Sequence, residues 1–205
     1  MIPKNVHVVW LGAEMPPKYK DIFEKNKEVL SDYNITLWDN NNIDDLIKGT
    51  PEEGFVKRAV KIKKYAFASD AIKLISLEKF GGWALDADNL ILKRFDDFNH
   101  HSWVSGFENY RRRLLPITAI WGAISHHKFT KLLLSKYTEE NFDSLIKMPN
   151  TQWISTLLFE NGIINNNAQQ RIEKLDVEIY PDYVFCGPFV KNKTYALHLF
   201  AKSWK

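Results

Sequence analysis

The sequence predicts an α/β fold: a mainly parallel central sheet flanked by helices, forming a single domain over residues 1–205. Three observations predict it. The first fifty residues alternate strand, helix and strand patterns. A long apolar helical stretch is then stopped by Gly81-Gly82 directly ahead of a short apolar run. Finally, 205 residues with 45% hydrophobic and 14% aromatic content can bury a substantial core. Strand and helix alternation favours parallel pairing, with ligands received at the carboxyl ends of strands.

Val6 to Leu11 is a β-branched and aromatic run closed by Gly12 and Pro16-Pro17, the pattern of a buried first strand ending in a loop. Lys18 to Leu30 places Ile22, Phe23, Asn26, Val29 and Leu30 near a helical period. Asn34 to Trp38 reads as a second strand, and the polar run from Asp39 to Asn42 caps a short helix through Leu46. A basic helical stretch covers Lys57 to Lys64, and an apolar helix covers Ala66 to Phe80. Gly81-Gly82 ends that helix, because glycine takes the left-handed conformation that satisfies the last carbonyls. Trp83 to Leu85 is a short buried strand, with Asp86-Ala87-Asp88 at its exit and Leu90 to Leu92 as a continuation or a separate edge. Later strands are expected at Trp103–Phe107, Ile117–Ile124, Val177–Tyr180 and Tyr195–Leu199, with helices at Phe129–Tyr137 and Trp153–Phe159. The polar Asn161–Gln170 segment reads as a surface turn, and there is no internal repeat.

Charge and composition narrow the functional classes. Lys and Arg number 28 against 25 Asp and Glu, a net +3, short of the dense basic field on which nonspecific nucleic-acid binding relies. The single cysteine, Cys186, excludes an intrachain disulfide. No apolar run approaches a bilayer span and no signal peptide is evident, so the expected location is cytoplasmic, with peripheral contact at the inner face of a membrane. Arg111-Arg112-Arg113 and the lysines from Lys57 to Lys64 are the segments for such a contact, although solvated faces explain them as well. His126-His127 stays unassigned, since adjacent side chains diverge.

The chemistry-bearing feature is Asp86-Ala87-Asp88. Two aspartates one residue apart in extended, solvent-facing backbone point to one side and reach a single hard cation such as Mg2+ or Mn2+. Such an ion, clamped to a diphosphate, stabilises the charge that builds when a nucleoside diphosphate leaves an anomeric carbon. An isolated Asp-x-Asp is also common on solvated loops. Its placement after a helix, a glycine stop and an apolar strand points to a ligand site.

The stretch Ala66-Phe67-Ala68-Ser69-Asp70-Ala71-Ile72-Lys73, followed by Phe80-Gly81-Gly82-Trp83-Ala84-Leu85-Asp86-Ala87-Asp88, closely resembles the sugar-binding region of glycosyltransferase family 32. Ile2-Pro3-Lys4 with Val6 to Gly12, then Leu37-Trp38-Asp39, are similar to the family's opening motifs. Tyr195-Ala196-Leu197-His198 with Ser203-Trp204 is similar to its closing ones. The segment from Phe98 to Ile172 carries little that aligns.

The resemblance implies a GT-A type fold and a retaining, metal-dependent transfer of a hexose from a nucleotide-diphosphate sugar. A UDP-sugar is favoured over a GDP-sugar, and the acceptor is a glycan or lipid-linked glycan. It assigns Val9 and Trp10 to the donor, Trp10 as a platform for the base. Asp70 is assigned to the sugar hydroxyls, and Lys73 stands where the family has arginine, keeping the charge but losing the planar fork. Asp88 becomes the direct ligand of Mn2+ (or Mg2+), and Asp86 the bridge to ribose and metal-bound water. His198 joins the metal site or Ser203 supplies that further ligand or a phosphate contact on the donor, and Trp204 closes over the donor. From the residues alone, Trp10 and His198 read more readily as core residues, and Asp70 with Lys73 reads equally as a solvated ion pair. A non-catalytic sugar or nucleotide-binding module and a metal-dependent phosphohydrolase are the alternative functions.

Overall fold

A computed structural model of the protein describes residues 1–110, 113–117 and 119–201. In chain order the elements are β1 (Asn5–Val9), α1 (Pro17–Val29), β2 (Asn34–Trp38), α2 (Ile43–Ile47), α3 (Glu53–Lys61), α4 (Tyr65–Phe80), β3 (Gly82–Leu85), β4 (Asn89–Ile91), β5 (Trp103–Gly106), β6 (Glu108–Tyr110) and β7 (Arg113–Leu115). They continue with β8 (Ile120–Ala123), α5 (Lys128–Leu134), α6 (Phe142–Leu145), α7 (Asn150–Glu160), β9 (Gln170–Ile172), β10 (Val177–Tyr180), α8 (Asp182–Phe185) and β11 (Ala196–His198).

Among the described residues a seven-stranded sheet runs in the order β2-β1-β3-β8-β5-β10-β9. β2, β1, β3, β5 and β10 share one direction, while β8 and β9 run against their neighbours. The expected mainly parallel sheet is therefore present, with an antiparallel strand wedged into its middle. Leu90–Leu92 belongs to a separate edge: β4 pairs antiparallel with β11 in a two-stranded ribbon. The β6–β7 hairpin, β9, α6 and α8 carry no signal in the sequence reading.

Strand alternation sorts the core into two faces. Val6, Val8, Trp83 and Leu85 pack on one side with Leu30 and Phe185. Val9 and Ala84 pack on the other with α2, α3, α4 and α5. α4 lies under that second face, buried from Ala71 to Leu77, which is why its sequence is apolar nearly all round. Its end is enforced sterically: Gly81 and Gly82 sit at φ 61° and 108°, and a Cβ on Gly82 would come 2.4 Å from the Asn5 carbonyl oxygen.

His7 ties three motif segments together. The Trp38 indole donates to its Nδ1 at 3.3 Å, so Nε2 carries the proton and donates to the Gly81 carbonyl at 3.0 Å. The ring is 2% exposed, and burial holds its pKa below the ordinary imidazole value.

Two outcomes follow. Gly82→Ala should lose about 1–3 kcal/mol in denaturant unfolding, from a strained φ and the clash with β1. His7 resists protonation in the fold but not in the unfolded chain, so its contribution is present above pH ~6.5 and is lost as pH falls below it. The stability gap between the parent and His7→Gln, measured by urea unfolding, should shrink between pH 7 and pH 5.

Candidate active site

The carboxyl ends of the parallel neighbours β1 and β3 define the site. The alternation that turns Ala84 toward α4 also turns Asp86, two residues on, toward that helix. There Lys73 meets it, Nζ to Oδ1 at 2.5 Å, and the same ammonium lies 3.3 Å from Asp70 Oδ1. Lys73 also stands 4.5 Å over the Trp121 ring. Its side chain is 2% exposed, so the pair read as a solvated ion pair is in fact buried. Burial works against the ammonium, but Asp86 and Asp70 outweigh it and raise its pKa. Burial likewise pushes Asp70 up to about 7, with Lys73 pulling the other way.

Asp86 and Asp88 do not both lie in extended backbone. The Asn89 amide donates to the Asp86 carbonyl at 3.0 Å, so the two aspartates occupy a tight turn between β3 and β4. Nor does Asp88 face solvent, being 7% exposed. The C-terminal segment covers it: the Ala201 amide donates to Asp88 Oδ2 at 2.8 Å, and the Leu199 amide donates to its carbonyl at 3.1 Å. Burial opposes the Asp88 charge, yet His198 and the Ala201 amide hold its pKa below the usual carboxylate range.

β11 delivers His198. Its register sets His198 opposite Asn89, and the imidazole Nε2 lies 3.4 Å from Asp88 Oδ1. Buried Asn26 of α1 fixes the partner strand, donating to the Asn89 carbonyl and accepting from the Ile91 amide, both at 2.8 Å. Burial disfavours a charge on His198, but Asp88, Cys186 and Glu108 around it push its pKa up to about 12.

One ligand atom each from Asp86, Asp88 and His198 lie within 4.8 Å of one another. Two carboxylates and an imidazole suit a hard to borderline divalent ion, and 3.4 Å is a spacing that two atoms about 2.1 Å from one ion can adopt. The negative surroundings that hold a proton on His198 would hold a cation equally. The donor set therefore fits Mn2+ or Mg2+.

The remaining expected residues divide. Trp10 is half-buried just past β1, its Nε1 donating to the Ala13 carbonyl at 2.9 Å and its ring 4.9 Å from Tyr19. It borders a small cluster of Met15, Tyr19 and Ile22 that Ala201 also touches, so the N- and C-terminal motifs meet there. Val9, by contrast, has its side chain in the core at 6% exposure, and only its backbone can face a donor. Ser203 and Trp204, like Arg111 and Arg112, lie outside the described residues. The lysines at 57, 61, 63 and 64 are exposed on α3 and the turn after it. His126 pairs with Glu78 at 2.8 Å while His127 caps α5, so the two adjacent histidines diverge as expected. Sequence reading missed Glu108, buried on β6 with its Oε2 3.4 Å from His198 Nδ1. Only the pairing of distant strands brings it there.

Residues 16–105 match the model of the glycosyltransferase sugar-binding region containing a DXD motif. The chain is 24% identical over its whole length to "Uncharacterized glycosyltransferase L373" of Acanthamoeba polyphaga mimivirus. Over 65% of its length it is 23% identical to "Inositol phosphoceramide mannosyltransferase 2" of Schizosaccharomyces pombe. It spans 84% of the first, 38% of the second and 15% of a third relative, also from mimivirus. Among solved structures, "PaToxG Glycosyltransferase" superposes with a TM-score of 0.58 at 19% identity, covering 78% of this chain and 69% of that one. The architecture is thus the GT-A fold that the resemblance implied.

Asp88→Ala should unfold more easily than Asp88→Asn, because alanine leaves the Ala201 amide without its acceptor, at a cost of about 1–3 kcal/mol. Thermal unfolding in the presence of a chelator separates this structural term from any metal effect.

Proposed function

We propose, from the match of residues 16–105 to the glycosyltransferase sugar-binding region containing a DXD motif, that the protein transfers a hexose from a nucleotide-diphosphate sugar to a glycan or lipid-linked glycan, with Mn2+ or Mg2+ held by Asp86, Asp88 and His198. The observation that carries this reading is the convergence of those three side chains from the turn after β3 and from β11, more than a hundred residues apart in sequence. The relative named for mannose transfer supports a hexose; the preference for a UDP-sugar over a GDP-sugar rests on the sequence resemblance alone.

When bound, the ion supplies Lewis-acid stabilisation of the charge growing on the leaving diphosphate. The protein's own residues position the donor. Trp10 offers a partly exposed ring for the base, a contact worth roughly 1–3 kcal/mol. Asp70 faces the sugar hydroxyls from α4. Lys73 holds Asp86 in place and adds positive charge beside the diphosphate. Asp88 is kept aimed by the backbone amide of Ala201.

The reaction retains anomeric configuration by front-face attack in this proposal, the acceptor proton passing to the leaving phosphate. The nearby aspartates are all engaged, Asp70 and Asp86 by Lys73 and Asp88 by His198 and Ala201, which argues against any of them serving as a free nucleophile. Catalysis then rests on positioning and preorganised charge.

The test is nucleotide release from a panel of UDP- and GDP-sugars with manganese, with and without chelator. Release should depend on metal and be fastest with a UDP-sugar; no metal-dependent binding or turnover of any donor removes the reading. Asp88→Asn should lower kcat by at least roughly 10^2- to 10^3-fold, the scale of one preorganised electrostatic group, while still unfolding cooperatively in a thermal melt.

A further inference from the structure

His198 has a carboxylate at each ring nitrogen. Nε2 faces Asp88 Oδ1 at 3.4 Å, and Nδ1 faces Glu108 Oε2, also at 3.4 Å. Asp88 belongs to the turn after β3, whereas Glu108 comes from the β6–β7 hairpin, which lies outside the main sheet. Both carboxyl side chains are about one-tenth exposed, as is the imidazole between them.

We propose that Glu108 is the positioning residue of this site, fixing the ring orientation and tautomer of His198 so that Nε2 presents its lone pair beside Asp88. The inference rests on the reading that Asp86, Asp88 and His198 hold a divalent ion.

A neutral imidazole that binds a cation through one nitrogen carries its proton on the other, and that N–H, when buried, needs an acceptor. His198 Nδ1 is buried, and at 3.4 Å it is within ion-pair range of Glu108 but makes no hydrogen bond. A shift of a few tenths of an ångström closes that contact. Other groups adjoin the ring: Phe200 packs against it with centroids 4.1 Å apart, and an Asp86 oxygen lies within 4.8 Å of a ring nitrogen. Cys186 is buried with its Sγ within 4.8 Å of the Glu108 and His198 ligand atoms, but sulfur is a weak acceptor. Asp88 lies on the opposite edge, already bonded through Oδ2 to the Ala201 amide. Glu108 is thus the strong acceptor on the Nδ1 side among the described residues. Carboxylates in this relation to a metal-binding histidine typically change metal affinity by 10- to 100-fold when removed.

The experiment is a manganese titration of the full chain without nucleotide, followed by electron paramagnetic resonance, on the parent, Asp88→Asn, Glu108→Gln, Glu108→Ala and Cys186→Ser. Nitrogen-15 shifts of His198 in the Mg2+-loaded protein are measured alongside. The parent should bind Mn2+ with the His198 proton on Nδ1, and Asp88→Asn should abolish binding. Glu108→Ala should weaken binding by about 10- to 100-fold and give mixed tautomers. Glu108→Gln, whose amide oxygen still accepts, should fall between and decides the matter if the alanine variant does not fold. Cys186→Ser should match the parent. Parent-like affinity and tautomer in Glu108→Gln and Glu108→Ala overturn the inference while leaving the metal reading intact. A loss in Cys186→Ser equal to that in Glu108→Ala overturns it in favour of the thiol. Failure of the parent to bind Mn2+ removes the metal reading and the inference together.

Discussion

A buried ammonium organises this molecule. Lys73 sits in the middle of α4, shut away from water, and such a charge is tolerated only where opposite charge is close. Asp70, one turn back on the same helix, is one partner, and Asp86, at the exit of β3, is the other. The second contact joins the helix to the loop that carries the motif aspartates. Removing one member of a buried pair of this kind costs about 3–5 kcal/mol, so the position of that loop is coupled to the packing of α4 against the sheet. The face of Trp121 completes the enclosure.

The rest of the site is assembled around that anchored loop. β4 leaves it and is held by Asn26 from α1, then β11 returns antiparallel along β4 and delivers His198. The chain end folds back far enough for the Ala201 amide to reach Asp88 and for Ala201 to join the cluster beside Trp10. The site is therefore made by backbone pairing as much as by side chains: the contacts of Asp88 with His198 and Ala201 depend on a strand register that closes a long loop. One consequence is that Asp88 is a structural acceptor as well as a candidate ligand, so its two duties have to be separated by the choice of substitution.

Much of this was legible in the residues. The apolar character of Ala66 to Phe80 reported a helix buried all round, and Gly81-Gly82 reported its end, because only glycine fits against the Asn5 carbonyl there. The α/β alternation reported the sheet and its carboxyl-end site. Local patterns also named Asp70, Lys73, Asp86 and Asp88, since these lie within twenty residues on a helix and the strand that follows it. Periodicity did not report the small elements: three residues of β6 or β9 carry too little pattern to stand out from a loop.

What the sequence by itself determined was the identity and spacing of the charged groups, because helix period and strand alternation act over a few residues. What the tertiary structure alone decided was their environment. Lys73 proved buried and not solvated, Asp88 covered and not exposed, and the aspartate pair set in a turn and not a strand. Glu108 came to His198 only through the pairing of β4 with β11 and the placement of the β6–β7 hairpin. Burial and ion pairing are sums over neighbours that the chain brings from far away, and no local pattern encodes them.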